Sequence, residues 1–377
     1  MKVILATGIF YPDVGGPAIH VRRIAEALKA VGYAPVVIAY GDSTESNKFT
    51  FPIHRISRHS GKVGRWLHYF LKTLKLAAGA DVIYAFDISA AGLPAFLAAK
   101  LFRKKFVVRI GGDPIWERVV ENGARFLSLE DYYEQGLYRV DRPWLYRLIR
   151  FILRYTDATV FYNQMFREFY IKYYGLAAEK ITVIPNPISA RAQTNPQLPA
   201  EPTILFAGRF VAYKNLPLVL RVFKRVHERL PQSRLLLIGH GPDRDSLTRQ
   251  IVEAGADSYI TLMDSMPQEK LFKLIAESAI VIGPALSEFN PNSILEALSF
   301  GKPVLLSRGH GLTVALPPEF EFDPKNEAEL EQKLLWFLNE ANYRRAVELV
   351  EQLPQSQTWE KVTAAHLDLL KSLVRQL

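Results

Sequence analysis

Two pairs of charged residues carry the chemical signal in this 377-residue chain. Glu288 and Glu296 stand in SEFNPNSILEALSFGKPVLLS with seven residues between them. Arg209 and Lys214 stand in GRFVAYKN, five positions apart, just after Gly208. Carboxylates accept hydrogen bonds from vicinal hydroxyls, and closely placed cations clamp a diphosphate. Together the four suit a ligand that carries both phosphate and a polyol. Each pair also has a plainer reading. Two cations on a surface loop are more often solvated, and a Glu pair at this spacing is common on helix surfaces.

Two glycine-rich or capped helix starts add to the pattern. Gly15-Gly16 precede a helix in VGGPAIHVRRIAEAL, and the Asn292-Ser293 pair reads as the cap of another. Backbone N–H groups at such starts face anions, although a glycine pair is equally a flexible turn. Asp243-Arg244-Asp245 looks like a metal-binding DxD, but it opens a helical pattern, where Asp is favoured by capping and the dipole. The eight histidines show no metal-ligand spacing, and no metal is expected. There is no GxSxG, no Walker loop and no GxGxxG after the first strand. That argues against a serine hydrolase, a P-loop NTPase and an ordinary dinucleotide-binding dehydrogenase.

The elements that must position these residues follow from the apolar runs. Residues 3–6, 35–39, 81–85, 106–110 and 158–162 read as strands, with helical patterns between them, such as 20–31 before Gly32. A second series lies at 203–207, 234–238, 259–262, 279–282 and 303–306. Near-continuous apolar strands separated by helices predict parallel sheet covered on both faces. Between the two series, residues 184–202 hold five prolines and no periodicity, which predicts a linker. Two α/β domains so joined place a cleft between them, with ligands at the carboxyl ends of the strands. A helical stretch at about 327–377 closes the chain.

Composition narrows the class. Apolar residues make up 49% and charged residues 23%, as in ordinary globular proteins. With no cysteine, a disulfide scaffold, a Cys zinc site and a thiol nucleophile are excluded. The N-terminus reads as a buried strand and lacks the pattern of a signal peptide. No apolar stretch is long enough to span a membrane. The net charge of +9 is unevenly spread: residues 1–190 hold 26 Lys and Arg against 16 Asp and Glu, and the remainder 21 against 22.

Taken in order, VGGPAIHVRRIAEAL, VIPNPI, FAGRFVAYKN, LLLIGHGP, SEFNPNSILEALSFGKPV and TWEKV make the chain resemble the retaining GT-B glycosyltransferases of family 4, the glycosyl transferases group 1. The resemblance covers nearly the whole chain, and Glu288 and Glu296 match the family's E-x7-E. It implies the GT-B fold, an α/β architecture of two Rossmann-like doubly wound domains facing a central cleft. Residues 1–188 would receive the acceptor and 189–357 the donor, with helix 358–377 returning to the first domain. It implies transfer of a hexose-type sugar from a GDP- or UDP-sugar to a glycan or lipid-linked acceptor, in cell-surface polysaccharide or glycolipid synthesis. Arg209 and Lys214 would contact the diphosphate, and Gly208, Asn292 and Ser293 the donor backbone site. Glu288 would face the donor sugar and Glu296 the ribose, and Gly15 and Gly16 would approach the phosphates. No cofactor or metal is implied. The family's His-Asp is here Gly111-Gly112-Asp113, so Asp113 is the candidate substitute for the absent His.

The basic half calls for a partner. Residues 142–155 and 62–76 form amphipathic patterns. Trp144, Leu145, Leu148, Ile149, Ile152 and Leu153 lie opposite Arg147, Arg150 and Arg154 in one; Trp66, Leu67, Phe70, Leu71 and Leu74 lie opposite Arg65, Lys72 and Lys75 in the other. Both suit an anionic membrane surface and both are also readable as core helices with solvated cationic faces. The expected place is the cytoplasm, peripheral at the membrane face. A GT-B-fold nucleotide-sugar epimerase is the alternative, against which stands the lack of a clear acid/base pair. Nucleic acid is disfavoured, since no recognition motif accompanies the charge.

Overall fold

All ten apolar runs form strands, and every strand pairing is parallel. The computed structural model describes the chain except residues 14, 43–48, 188–194, 196, 290, 355–356 and 376–377. Part of the predicted 184–202 linker thus lies outside the described residues. The chain divides into two units. The first comprises Met1–Ile115, Tyr138–Asn186 and Trp359–Leu377; the second comprises Trp116–Leu137 and Pro187–Thr358. Placing residues 116–137 with the second unit departs from the boundary read off the sequence. It also widens the charge split: the first unit holds 27 Lys and Arg against 13 Asp and Glu (+14), the second 20 against 25 (−5).

In the first unit, β1 (Lys2–Thr7), β2 (Ala34–Tyr40), β3 (Ile53–Ile56), β4 (Val82–Ala85), β5 (Lys105–Arg109), β6 (Ala158–Phe161) and β7 (Ile181–Val183) form one sheet in the order β3-β2-β1-β4-β5-β6-β7. The middle strands are buried almost throughout because helices cover both faces. The second unit repeats the scheme. Its strands are β8 (Thr203–Ala207), β9 (Arg234–Ile238), β10 (Ile260–Met263), β11 (Ile280–Gly283), β12 (Val304–Ser307) and β13 (Glu321–Phe322), ordered β10-β9-β8-β11-β12-β13. The closing helical stretch is three helices, Glu327–Phe337, Glu340–Gln352 and Trp359–Val374, and only the last belongs to the first unit. Among the described residues, no helix is long and apolar enough to cross a membrane.

One guanidinium holds the discontinuous first unit together. Arg109, at the end of β5, is 1% exposed and meets no carboxylate in its hydrogen bonds. It donates to His366 Nε2 (2.8 Å), His20 Nδ1 (3.2 Å) and Asn186 Oδ1 (2.7 Å), and stacks on the Tyr162 ring at 4.5 Å. Arginine cannot accept, so His366 Nε2 carries no proton and its Nδ1–H faces the Tyr84 oxygen at 3.0 Å. His366 brings the C-terminal helix to the sheet, and Trp359 from the same helix packs on His20 at 4.9 Å.

Burial first, and next the Arg109 charge, hold both imidazoles well below 6.5. The unfolded chain protonates them near that value and the folded chain does not. Their contribution is therefore intact above about pH 6.5 and is lost as pH falls below it, approaching about 1.4 kcal/mol per pH unit for each. Urea unfolding across pH 7 to 5.5 should show this slope, and His366→Gln, which keeps an acceptor for Arg109, should remove about half of it. An unchanged slope in that variant would refute the account.

Candidate functional site

Seven of the sequence-predicted residues reside on loops that leave one edge of the second sheet, or on the helix that follows. Parallel strands place all their carboxyl ends on that edge. The loop after β8 carries Gly208, Arg209 and Lys214; the loop after β11 carries Glu288. The two loops are tied by Leu286 N–H donating to the Tyr213 carbonyl at 2.8 Å. The loop after β9 closes on the first of them, since Phe210 N–H donates to the His240 carbonyl at 2.8 Å. Gly239 (φ 156°) and Gly241 (φ 154°) permit that approach. A Cβ on Gly239 would stand 1.8 Å from the Gly208 carbonyl oxygen, and one on Gly241 would stand 2.2 Å from that of Phe210.

Both cations already have carboxylate partners. Lys214 forms an ion pair with Glu288, and the two side chains are only 15% and 14% exposed. Glu288 Oε1 also accepts from Phe289 N–H at 3.1 Å. Arg209 donates to the Tyr213 hydroxyl at 2.5 Å and faces Glu121 Oε1 at 3.2 Å. Burial, then the Glu117 charge, with Glu288 and Glu121 adding to it and Arg209 opposing, pushes the Tyr213 hydroxyl far up, so it remains a neutral phenol. The loop can thus present two cations, one phenol and one carboxylate to an anionic, hydroxyl-bearing ligand.

Glu117 and Glu121 are residues the sequence reading missed. They sit on the helix Pro114–Glu121, one turn apart and so on one face. Trp116 fixes that helix. It is fully buried, its ring centroid 5.2 Å from that of Tyr213 and 5.7 Å from that of Phe289, and its Nε1–H donates to the Leu127 carbonyl at 2.9 Å. Farther along the same segment, Leu129 N–H donates to Ser287 Oγ at 2.9 Å, beside Glu288, and Lys325 pairs with Asp131 at 2.6 Å. The available signal was local charge: residues 116–137 hold five acidic and two basic residues inside the basic half.

The helix Asn292–Ser299 supplies the next pieces. Asn292 and Ser293 are its first two residues; the N-cap position belongs to Pro291, which makes no side-chain cap bond. This corrects the capping role expected for them. The Pro291 carbonyl accepts from Ile294 and Leu295 N–H, both at 3.1 Å, so backbone bonds and not a side chain close the helix start. Glu296 lies one turn in, where Gln268 Nε2 donates to its Oε1 at 2.9 Å. Burial raises the Glu296 carboxyl above its ordinary range, and the Gln268 bond offsets part of that. In the Asp243-Arg244-Asp245 decoy, Asp243 occupies the N-cap of Arg244–Glu253 without a side-chain cap bond, and Arg244 pairs with Asp264 at 3.2 Å.

The remaining predicted residues belong to the first unit. Gly15 is the N-cap and Gly16 the first residue of the helix Gly16–Ala30, which has no side-chain cap and no acid in its first turn. A Cβ on Gly15 would meet Ile9 Cδ1 at 2.8 Å. Asp113 is fully buried. Its Oδ1 accepts from Ile115 N–H at 3.1 Å and its Oδ2 from the Tyr174 hydroxyl at 2.6 Å. That corrects its candidate catalytic role: the carboxylate anchors the start of the helix Pro114–Glu121, with no face open to a ligand.

Comparison with known proteins gives these arrangements a context. Residues 191–349 match the family described as Glycosyl transferases group 1, and residues 14–191 match Glycosyltransferase Family 4. The phosphatidylinositol N-acetylglucosaminyltransferase GPI3 subunit of Saccharomyces cerevisiae is 20% identical, over 84% of this chain and 70% of that one. The sucrose-phosphate synthase tll1590 of Thermosynechococcus elongatus superposes with a TM-score of 0.77 at 17% identity, covering 100% of both chains. Anabaena Alr3699/HepE, solved in complex with UDP-glucose, gives 0.76 at 15% identity, covering 99% of this chain and 100% of that one. These likenesses establish the two-domain α/β GT-B fold, and they lend the epimerase alternative no support.

The Lys214–Glu288 pair is largely shielded from water, so removing one partner has a cost. Lys214→Met should destabilise the chain by about 1–3 kcal/mol by leaving a carboxylate uncompensated. Adding Glu288→Gln should restore more than half of the loss. A double-mutant cycle by chemical denaturation measures this, and simple additivity would show that the pair carries no coupling.

Proposed function

The chain belongs to the glycosyl transferases group 1, and on that premise we propose that it moves a hexose-type sugar from a UDP- or GDP-sugar to a hydroxyl of a glycan or lipid-linked acceptor. The transfer retains anomeric configuration and uses no metal ion. The observation that carries the reading is the placement of Arg209, Lys214 and Glu288 on two joined loops at the carboxyl edge of the second sheet. The Anabaena neighbour solved with UDP-glucose supports a nucleotide-sugar donor.

The chemical task is to break the bond between the anomeric carbon and the diphosphate. Positive charge grows on the sugar ring and negative charge on the leaving oxygens. Arg209 and Lys214 are fixed cations that meet the second change, aided by the first-turn N–H groups of Asn292–Ser299. Because they are positioned before reaction, they do not reorganise during it. Glu288, held by Lys214 and by Phe289 N–H, accepts hydroxyls of the donor sugar. Glu296, oriented by Gln268, accepts the ribose diol. The acceptor hydroxyl attacks on the face from which the diphosphate leaves, and a leaving phosphate oxygen takes its proton.

The first unit supplies the surface on which a lipid-linked acceptor is met. Residues 62–77, 92–105 and 142–155 contain twelve Lys and Arg and no Asp or Glu. Lys100 and Lys105 pair with Asp157, at 3.5 and 3.3 Å. Among them stand exposed apolar residues, including Val63, Leu67, Leu71, Leu101, Phe102 and Phe151, with Trp144 64% exposed. Trp144 therefore lies with Arg147 and Arg150 on the outer side of its helix, not on the apolar side assigned to it from the helical wheel. Cations with exposed aromatics fit an anionic bilayer surface.

Two measurements test the proposal. Release of free UDP or GDP from a panel of sugar nucleotides, with and without acceptor glycolipids, should single out one donor. On that donor, Arg209→Ala and Lys214→Ala should each lower turnover at least about tenfold, or 1.4 kcal/mol of barrier; near-normal turnover in both would end the diphosphate assignment. In sedimentation, vesicles rich in phosphatidylglycerol should bind the protein in a salt-sensitive manner, and Trp144→Ala with Phe151→Ala should weaken the binding about threefold or more. Failure to bind anionic vesicles at low salt would remove the membrane claim alone.

A further inference from the structure

The donor reading leaves a carboxylate unexplained. Arg209, the more open of the two site cations, is already matched to Glu121, with Glu117 one helical turn away and close enough to act on the same guanidinium and on Tyr213. We propose that Glu121 is a built-in counter-anion of the donor site: it neutralises Arg209 while the site is empty of diphosphate and gives Arg209 up when the diphosphate binds. This deepens the donor reading and rests on it.

Three observations carry the inference. First, the position of Glu121 is fixed by packing. Trp116, on the same helix, is fully buried against Tyr213 and Phe289, and the segment is fastened again by Leu129 to Ser287 and by Asp131 to Lys325. An acid held next to a site cation by a buried indole is not a floating surface charge.

Second, the two ion pairs of the site differ in kind. Lys214 and Glu288 are enclosed and hydrogen-bonded. Arg209 and Glu121 are 51% and 27% exposed, and Glu121 Oε1 is shielded from solvent without a hydrogen bond. Arg209 spends its aligned N–H on the Tyr213 hydroxyl and meets Glu121 through charge alone. A pair without aligned hydrogen bonds is weak and exchangeable, whereas phosphate oxygens can accept two parallel N–H bonds from one guanidinium.

Third, the charges do not otherwise balance for an anionic ligand. Two cations, Arg209 and Lys214, face three carboxylates, Glu117, Glu121 and Glu288. A diphosphate added to that set is repelled unless one carboxylate gives way. Glu121 is the one whose bond to its cation is least directional.

Calorimetric titration of the full chain with UDP, GDP and ADP tests the proposal. For the diphosphate that the natural chain binds, Glu121→Gln should tighten binding about threefold to tenfold, with the gain shrinking at about 0.5 M salt. Binding of the corresponding nucleoside, which has no phosphate, should not change. With the matching sugar nucleotide, donor KM should fall more than kcat changes. Glu117→Gln, on the same face one turn earlier, should move affinity in the same direction by less, and it stands in if Glu121→Gln fails to fold. Equal or weaker diphosphate binding in Glu121→Gln, or no tightening in Glu117→Gln where that variant stands in, overturns the exchange and makes Glu121 a residue that orients Arg209. If no nucleoside diphosphate binds the natural chain, the donor reading itself falls, and the exchange with it.

Discussion

The first unit depends on a cation that has been removed from water without an anion. Arg109 receives acceptors from all three chain segments that build the unit: His20 from the first, Asn186 from the second and His366 from the third. A buried carboxylate would have paired it more strongly, but would also have added a second desolvated charge. Two neutral imidazoles, an amide oxygen and the Tyr162 face spread the charge over groups that are cheap to bury. The Arg109 Nε remains without a partner, which shows how fully the site is closed. The bond to His366 gives the last helix a specific register on the sheet, where apolar packing by Val362, Leu370 and Leu373 alone would set only a face.

The second unit handles its site cations differently, pairing each with a carboxylate. Lys214 and Arg209 stand at the sheet edge, each paired to a carboxylate on a neighbouring loop or helix. The segment 116–137 is what makes this arrangement complete. It leaves the sequence of the first unit, carries five acids, and packs through Trp116 against the loops after β8 and β11. Its transfer accounts for three of the four charges by which the split read from sequence halves, +10 against −1, becomes +14 against −5 by structural unit; residues 359–377, which belong to the first unit, account for the fourth. Twelve of the first unit's 27 cations lie in three stretches free of acids, and three of the second unit's acids, Glu117, Glu121 and Glu288, stand by Arg209 and Lys214.

Most of the architecture was legible because both sheets are parallel and buried on two faces, so each inner strand announces itself as an apolar run. Of the four edge strands, three were not legible, for the same reason, and only β10 was. Ile53–Ile56 contains His54 and Arg55, Ile181–Val183 is half-buried, and Glu321–Phe322 is two residues long. Arg209, Lys214 and Glu288 became candidates because loops after parallel strands are where chemistry collects, and Glu296 because it lies on the helix that follows one of them. Asp113 misled because its position after β5 is equally that of a helix anchor, and only its buried bonds to Ile115 and Tyr174 separate the two. Glu121 was invisible since nothing in its spacing relates it to Arg209, 88 positions on; their proximity is made by Trp116 in three dimensions.

An exchangeable carboxylate beside the diphosphate also bears on turnover. A site of bare cations would bind the product diphosphate at least as tightly as the donor, since the product keeps both phosphates and gains a negative charge, and release would limit the cycle. What accelerates transfer is binding that strengthens only as charge develops on the leaving oxygens. On the proposed reading, Lys214, enclosed with Glu288, and Arg209, once released by Glu121, both provide that. On the proposed exchange, Arg209 returns to Glu121 as the product departs, so that the carboxylate lowers the affinity of ground state and product alike. The two pairs thus differ, on the proposed reading, in that one cation keeps its enclosed partner throughout and the other exchanges its partner as the nucleotide enters and leaves.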